Sequence, residues 1–209
     1  MLRTDTFLPG TLDILNQVMS NPDFDSFTLV GGTALALQLG HRVSLDLDFF
    51  GSGDVFSDEF LESAHSLGDI RLMSRSRNIL VVEVNGVKVD FVNYRYKFLR
   101  KPVISGNIRL ASLEDIGAMK LSAITGRGRK RDFIDLFFLL DHFTLSSLLT
   151  YYREKYPDGS DFLVLRSLTY FGDADLDADL QMLVPIDWNK VKKRILIDVK
   201  RLDIKYPLI

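Results

Sequence analysis

Apolar side chains recur along this chain with two different periods. In some stretches they return every three or four residues, as on one face of a helix, and in others they form short runs or alternate with polar residues, as in strands. Over the first half this pattern predicts, in order, helix 11–19, strand 27–30, helix 33–39, strand 43–50 and helix 56–67. Asn21-Pro22 would end the first helix, and Gly40 would end the second in a left-handed conformation.

A β-hairpin is predicted over residues 78–92. Asn85-Gly86 supplies the two positive-φ positions of a type I′ turn between two apolar runs. In the register that this turn sets, Glu83 faces Lys88 across the strands, which is a favourable pair. Asp90 then lies on the second strand of the hairpin.

The second half of the chain is predicted to be helical. Ser112 and Asp115 resemble a capping box, with Asp in place of Glu, at the start of a helix that runs to about Thr125. Further helices are predicted at 132–140, 144–155, 160–171 and 188–201. We therefore expect an α/β (α+β) fold, in which a small mixed β-sheet flanked by helices is followed by a helical C-terminal half. The predicted domains are 1–110 and 111–209.

Composition narrows the chemistry that this fold can carry. The 209 residues fit one domain, or one domain with a modest appendage, and 26 Lys and Arg against 28 Asp and Glu leave a net charge of −2. That balance argues against a generally basic nucleic-acid coat protein, although a local basic patch is compatible with it. The chain has no Cys, so disulfides, thiolate metal sites and a Cys nucleophile are excluded.

The same features indicate a cytoplasmic protein. The N-terminus lacks the pattern of a secretion signal, and a chain without Cys suits a reducing compartment. No apolar run approaches about 18 residues, so we expect no membrane-spanning segment. The three His are scattered and form no two-His zinc motif, so chemistry here must use carboxylates, Lys and Arg.

Two carboxylates are predicted on one face of the strand 43–50. Asp46 and Asp48 are separated by Leu47, so their side chains should point the same way, with Cα atoms about 6.6 Å apart. That spacing would let them bridge one hard cation or share two. The alternative is the solvated face of an edge strand that ends in a turn.

A glycine pair stands shortly before these carboxylates. Gly31-Gly32 lies between a predicted strand and a helix N-terminus, where unpaired N–H groups and the helix dipole favour a phosphate, and Thr33 adds a hydroxyl at the N-cap. An isolated Gly-Gly-Thr is usually only a turn. Close to Asp46 and Asp48, however, it would supply the anion cradle beside a dication site that a nucleoside triphosphate requires.

Lysine occupies an unexpected place on the first C-terminal helix. Lys120 lies four residues after Ile116 and seven after Leu113, on the apolar stripe, so its ammonium group must either extend to solvent or meet an anion. A triphosphate or an active-site Asp would serve as that anion. Residues 120–131 hold five cations and no anion ahead of a predicted helix start, which mildly favours an anionic partner over a solvated surface.

A second basic stretch mixes cations with aromatic residues. Residues 93–109 contain five Lys or Arg and no acidic residue, interleaved with Tyr94, Tyr96 and Phe98. This composition suits single-stranded or looped RNA, whose bases stack on aromatic rings. A solvated exit from the hairpin is the alternative.

Together these motifs resemble a known superfamily. Gly31-Gly32, the short helix and Leu45–Phe49 resemble the glycine loop and paired-Asp strand of the DNA polymerase β-like nucleotidyltransferases. The longer strings 31–37 and 42–50 resemble in particular the AbiEii/AbiGii-type nucleotidyltransferase toxins, as does the later spacing over 120–136. Where the superfamily has Gly-Ser this chain has Gly-Gly, and the next residue, Thr, is the candidate to replace the hydroxyl.

This resemblance implies a set of site residues. It calls for a third acidic residue on a later strand, for which Asp90 is the candidate; the alternative is a surface Asp paired with Lys88 or Arg109. The implied metal ligands, for Mg²⁺ or Mn²⁺, are Asp46, Asp48 and Asp90. The implied contacts of an NTP substrate are Gly31, Gly32, Thr33, Arg42, Ser44 and Lys120. The implied catalytic set is Asp46, Asp48, Asp90, Lys120 and Asp132.

The resemblance also implies a function. The protein would transfer NMP from an NTP to an acceptor hydroxyl, in an RNA such as tRNA, as the toxin of a toxin–antitoxin or phage-defence system restrained by a separate antitoxin. Two alternatives remain open at this point. One is an enzyme of the same fold that modifies a small molecule or a protein hydroxyl, and the other is a catalytically silent scaffold.

Overall fold

The computed structural model describes residues 2–7 and 10–205, with side chains described up to residue 202, and the chain forms two compact units. The first, called the sheet unit below, comprises Met1–Lys97 and Lys101–Ser112. The second, called the helical unit, comprises Phe98–Arg100 and Leu113–Ile209. Every helix in the described part of the chain is too short or too polar to cross a bilayer.

The sheet unit alternates short helices with strands. Its elements are, in order, a 3₁₀ helix Thr4–Thr6, α1 Thr11–Ser20, a 3₁₀ helix Pro22–Phe24, β1 Thr28–Leu29, α2 Gly31–Leu39, β2 Leu47–Gly51, α3 Asp58–His65, β3 Ile70–Ser76, β4 Ile79–Val84, β5 Val87–Asn93, β6 Val103–Ser105 and β7 Ile108–Leu110. Gly40 follows α2 with φ +68°, which confirms the predicted left-handed end of that helix.

The strands form one mixed sheet, as predicted. Their order is β3-β4-β5-β2-β1-β7-β6. The β2–β5 and β1–β7 pairs are parallel, and the remaining pairs are antiparallel. Strand β2 therefore lies between β5 and β1, at the centre of the sheet. The sequence did not reveal β3, β6 and β7, because β3 has mostly exposed, polar side chains and the other two are three residues long.

The hairpin β4–β5 has the predicted turn and register. Asn85 has φ +48° and Gly86 has φ +85°, and Glu83 is paired with Lys88. The two side chains face each other as predicted, but their ion pairs are made with other residues. Glu83 binds Arg71 of the unforeseen strand β3, with 2.7 Å between Oε2 and Nη2.

Strand β2 is shorter than the predicted strand 43–50. It begins at Leu47, so Asp46 precedes the strand instead of belonging to it. A strand over 43–50 would place Leu45 on the same face as Leu47, but Leu45 is 54% exposed and Leu47 is fully buried. The alternation of side chains between the two faces therefore holds from Leu47 through Asp48 to Phe49. It does not hold for the residues before Leu47.

Phenylalanines cover one face of the central strands. The rings of Phe49 on β2 and Phe91 on β5 stack with centroids 5.3 Å apart, and Phe24 and Phe60 lie 4.9 and 5.3 Å from Phe91. Because alternate residues of a strand point to opposite faces, this core places Asp48 and its neighbour on β5 on the other side of the sheet.

The helical unit follows the predicted pattern with one difference. Its helices are α4 Leu113–Gly126, α5 Lys130–Leu139, α6 Leu145–Lys155, α7 Asp161–Leu168, α8 Gly172–Asp175 and α9 Trp188–Lys205. The helix predicted at 160–171 ends at Leu168, and the short helix α8 follows it.

A buried ion pair ties the segment Phe98–Arg100 to the helices. Asp115, expected to cap the start of α4, is fully buried and accepts hydrogen bonds from the backbone N–H groups of Leu99 and Arg100 at 2.9 and 3.1 Å. It also binds Lys155 of α6, with 2.7 Å between Oδ1 and Nζ. Burial lowers the pKa of Lys155, and its hydrogen bond to Asp115 opposes that shift.

We predict that Asp115→Ala destabilises the protein by about 3–5 kcal/mol, because it leaves Lys155 buried without its counter-ion and two backbone N–H groups without an acceptor. The measurement is the midpoint of urea unfolding. Glu154→Ala is the matched control, since this carboxylate is half exposed (51%) and an exposed pair contributes only about 0–1 kcal/mol. Equal midpoints for the two variants would contradict the prediction.

Candidate active site

The start of helix α2 lies directly against an acidic side chain. Gly31 is the first residue of the helix and has φ +69°, a left-handed conformation that glycine adopts without strain. A Cβ atom added to Gly31 would lie 2.7 Å from Oδ2 of Asp48. The Val30 N–H donates to the Asp48 carbonyl oxygen at 2.8 Å, which holds the two segments together. Glycine is thus required here for both its φ and its lack of a side chain.

Asp48 and Asp90 stand side by side on the central strands. They are paired positions of the parallel strands β2 and β5, where neighbouring chains are about 4.8 Å apart. Both are partly exposed, whereas the residues flanking them on each strand are buried or turn to the other face. The sheet therefore brings together two of the three predicted carboxylates.

Lys88 neutralises Asp90 in this structure. Its Nζ lies 2.6 Å from Oδ1 and 2.5 Å from Oδ2 of Asp90. This is one of the two contacts expected of a surface Asp. The other does not form, because the Arg109 guanidinium donates to the carbonyl oxygens of Met19, Phe24 and Phe27.

The Thr33 side chain binds the backbone at Asp46 and is not the helix N-cap. The predicted N-cap role is wrong, because Val30 takes that position and Thr33 is the third residue of α2. The buried Thr33 hydroxyl donates to the backbone carbonyl oxygen of Asp46, and it lies 2.8 Å from the Ser44 hydroxyl. The hydroxyl group therefore positions the chain that carries Asp46.

Arg42 and Ser44 lie inside the sheet unit. Arg42 is 4% exposed and donates to the Val43 carbonyl oxygen at 3.0 Å. Ser44 is 7% exposed, and its N–H donates to the Thr6 carbonyl oxygen at 3.0 Å. These contacts hold the segment before β2 in place.

The helical unit contains a second charged cluster. Lys120 is 4% exposed, and its Nζ lies 2.9 Å from Oδ1 of Asp132 and 2.6 Å from Oδ2 of Asp135. Arg127 donates to both oxygens of Asp132 as well. Lys120 therefore meets carboxylates instead of extending to solvent, and two cations balance two buried anions.

Asp132 remains ionised because of these partners. Burial on its own would raise the pKa of Asp132, but the charges of Lys120 and Arg127 and their hydrogen bonds outweigh it and hold the pKa below its ordinary value.

A family comparison now identifies the chain. The model of the family described as "Nucleotidyl transferase AbiEii toxin, Type IV TA system" matches residues 13–100 and 87–205. The chain belongs to this AbiEii family. An uncharacterized protein of Aquifex aeolicus (strain VF5) is 36% identical over 168 residues, which cover 78% of this chain and 82% of that relative.

Solved structures share the nucleotidyltransferase fold of this AbiEii protein. A candidate nucleotidyltransferase from H. pylori has a TM-score of 0.58 at 22% identity, covering 93% of this chain and 92% of that one. MenT4, a nucleotidyltransferase toxin from Mycobacterium tuberculosis H37Rv, has a TM-score of 0.56 at 16% identity, covering 93% and 84%. Family and fold agree that the chain is a nucleotidyltransferase.

The donor set of this AbiEii protein fits a hard cation. Asp48 and Asp90, at paired positions of β2 and β5, and Asp46, just before β2, offer carboxylate oxygens, the ligands that Mg²⁺ prefers. Among residues 2–7 and 10–205, however, no three His, Asp or Glu side chains are arranged to hold a metal ion. In this structure the Asp90 carboxylate binds Lys88, and the Asp48 carboxylate lies against Gly31.

The sequence-predicted residues fall into two groups. Those of the glycine loop and the acidic strands belong to the sheet unit, whereas Lys120 and Asp132 belong to the helical unit. Two partners were missed as site residues. Asp135 lies within the stretch 120–136 whose spacing resembles the family, three residues after Asp132 on the same helix face, but it was not assigned to the site. Lys88 was considered only as a partner of Glu83 or of Asp90.

We predict that Gly31→Ala lowers nucleotidyl transfer by about 10- to 100-fold, because the added methyl group displaces the Asp48 carboxylate. Gly86→Ala is the matched control: Gly86 has φ +85°, but its Cβ would meet nothing within 4 Å. Both variants should lose about 1–2 kcal/mol of stability through backbone strain, and only the first should lose activity. Initial rates and urea midpoints measure the two effects, and equal activities would contradict the prediction.

The lowered pKa of Asp132 predicts a loss of stability in acid. Since the unfolded carboxyl binds its proton at a higher pH than the folded one, this group stabilises the protein above its unfolded pKa of about 4. That contribution should disappear as the pH falls through the folded pKa.

The test follows urea unfolding against pH. Below pH about 4, the stability of the wild type should fall more steeply than that of Asp132→Asn. Asp158→Asn, which removes an exposed carboxylate, serves as the control. If the wild type and Asp132→Asn lose stability equally steeply in acid, the ion pairs of Asp132 with Lys120 and Arg127 are not the cause of that loss.

Proposed function

We propose that this AbiEii toxin is a magnesium-dependent enzyme that transfers NMP from an NTP to a hydroxyl group of RNA, with tRNA as the favoured acceptor. Mn²⁺ would be an alternative metal. A separately encoded antitoxin would restrain the enzyme, and the pair would serve in defence against phage. Such an enzyme would act in the cytoplasm, where NTPs and tRNA are held.

The observation that carries this proposal is the contact between Gly31 and the Asp48 carboxylate, with Asp90 on the next strand. The first N–H groups of a helix lack partners within the helix and attract phosphate. Carboxylates at the same place would hold a cation that the phosphate also binds. The proposed phosphate cradle and the proposed dication site would thus adjoin each other within the sheet unit.

The residues of the sheet unit would act chiefly by position and charge. The N–H groups of Gly31 and Gly32 would hold the β- and γ-phosphates. The acceptor oxygen would bond to the α-phosphorus, the bond between that phosphorus and the bridging oxygen would break, and pyrophosphate would leave. Asp90 is the proposed acceptor of the hydroxyl proton.

Asp46, Asp48 and Asp90 would hold the metal. When bound, the ion would neutralise triphosphate charge and favour ionisation of the attacking hydroxyl. Asp90 must first release Lys88. That exchange is inexpensive because the Lys88 side chain is 37% exposed and its ammonium group can return to water.

Arg42, Ser44, Thr33, Lys120 and Asp132 complete the proposed set. For the first three, the contacts in the sheet unit support a role in positioning Asp46 and the helix start. We propose that residues 1–110 form the catalytic core and that the helical residues 111–209 add Lys120 and Asp132 to the reaction. A phosphate that reaches Lys120 would have to compete with Asp132 and Asp135, which makes the partly exposed Arg127 a further candidate for phosphate contact.

We predict that Asp48→Asn lowers nucleotidyl transfer by about 100- to 1,000-fold, because it removes charge from the site where the triphosphate is held. The assay incubates the protein with each of the four labelled NTPs and total RNA, with and without EDTA. Asp69→Asn, at an exposed loop of the sheet unit, is the control and should keep wild-type activity.

The position of the label separates the alternatives. Label on RNA that EDTA abolishes and that Mg²⁺ or Mn²⁺ restores supports the proposal. Label on protein or on small alcohols instead identifies a different acceptor class. If Asp48→Asn retains NTP turnover, Asp48 has no part in the reaction. If the wild type turns over no NTP and Asp48→Asn retains toxicity in growing cells, the chain is a scaffold with no catalytic role.

A further inference from the structure

Aromatic side chains continue the sheet face that carries the carboxylates. Leu47 and Phe49 are fully buried, so Asp48 and Phe50 both point to the opposite face of β2. Phe50 is paired with Val92 of β5, one row beyond the Asp48–Asp90 pair, and rows on one face are about 6.6 Å apart.

The chain leaving β5 adds two more rings to this face. Tyr94 follows the end of β5, and its N–H donates to the Gly51 carbonyl oxygen at 2.8 Å. The Phe50 and Tyr94 rings have centroids 4.8 Å apart, and the Tyr94 and Tyr96 rings 5.5 Å. We call Phe50, Tyr94 and Tyr96 the aromatic platform. All three are partly exposed, unlike the fully buried rings at the core of the other face.

Cations accompany these rings. The Arg95 guanidinium lies 4.5 Å from the centroid of the Tyr96 ring and hydrogen-bonds to its hydroxyl. Arg95 and Lys97 are exposed, and residues 93–109 contain no acidic residue. Rings that offer faces to bases, together with cations that neutralise phosphates, form the usual surface for single-stranded nucleic acid.

The platform lies on a different side of Asp48 from the phosphate cradle. Leu29 of β1 is paired with Phe49, and Gly31 comes two residues later, so α2 begins beside the start of β2. Phe50 and Tyr94 lie at the other end of β2. A triphosphate on Gly31 and a base on the platform would therefore approach the carboxylates from opposite ends of β2, so the two substrates would not compete for one place.

We propose that the aromatic platform stacks the unpaired bases that lead to the reacting hydroxyl of an RNA acceptor, with Arg95 and Lys97 binding the adjoining phosphates. This inference rests on the proposed function. It identifies how that enzyme distinguishes a single-stranded RNA end from a blunt duplex, whose bases are unavailable for stacking.

The test compares Tyr94→Leu and Tyr96→Leu with Tyr94→Phe and Tyr96→Phe. Binding of a fluorescent single-stranded RNA is measured by anisotropy without NTP. Each Leu variant should raise the Kd about 5- to 100-fold, and each Phe variant should keep wild-type binding. In the transfer assay the KM for RNA should rise in the Leu variants, whereas the KM for NTP should not change. Urea midpoints verify that every variant is folded.

Phe56→Leu is the matched control. Phe56 is 52% exposed, and the Arg75 guanidinium lies 5.0 Å from its ring, so it repeats the arginine–aromatic contact beside the edge strand β3. This variant should bind RNA as the wild type does. A duplex with blunt ends should bind the wild type and the Leu variants equally.

Three outcomes would overturn the inference. These are unchanged RNA binding in the Leu variants, an equal loss in Phe56→Leu, or a rise in the KM for NTP alone, which would assign the platform to the base of the nucleotide substrate. Failure of the proposed function has a different signature, because the wild type would then transfer no label to RNA even though the Tyr94→Leu and Tyr96→Leu variants weaken RNA binding.

Discussion

The close approach of Gly31 to the Asp48 carboxylate sets the geometry of the sheet-unit site. At 2.7 Å from Oδ2, the position of a Cβ atom is already occupied, and a φ of +69° adds strain for any residue with a side chain. The contact places helix N–H groups, which attract anions, beside carboxylates, which attract cations. In the proposed function, a triphosphate with its metal ion would satisfy both groups at once.

Charge compensation is the second constraint, and the two units meet it differently. On the sheet, Asp90 is matched by Lys88, whose side chain is 37% exposed and is therefore easily exchanged. In the helical unit, Lys120 is almost fully buried between Asp132 and Asp135, and Lys155 is fully buried on Asp115. Such buried pairs are costly to break, since each would leave an uncompensated charge. The sheet carboxylates are thus suited to ligand exchange, and the buried pairs to holding shape.

Much of the fold followed from local patterns. Asn85-Gly86 specified a turn that also fixes the register of its strands, so the pairing of Glu83 with Lys88 could be derived from these two residues. The end of α2 could also be predicted from one residue, because Gly40 adopts the left-handed conformation that ends a helix. The prediction of strand at 43–46 is wrong because it used alternation alone. These residues alternate as a strand does, but they pair with no neighbouring strand; the isolated bridge at Arg42 lies before them.

The sequence by itself determined the family, the mixed sheet, the helical second half and the acidic residues worth examining, because these depend on spacing along the chain. Only the tertiary structure decided which charges meet. Arg71 reaches Glu83 from a strand without an apolar pattern, and Lys155 meets Asp115 across 40 residues. Ion pairs of this kind depend on which elements become neighbours in space, and a side chain's charge says nothing about that choice.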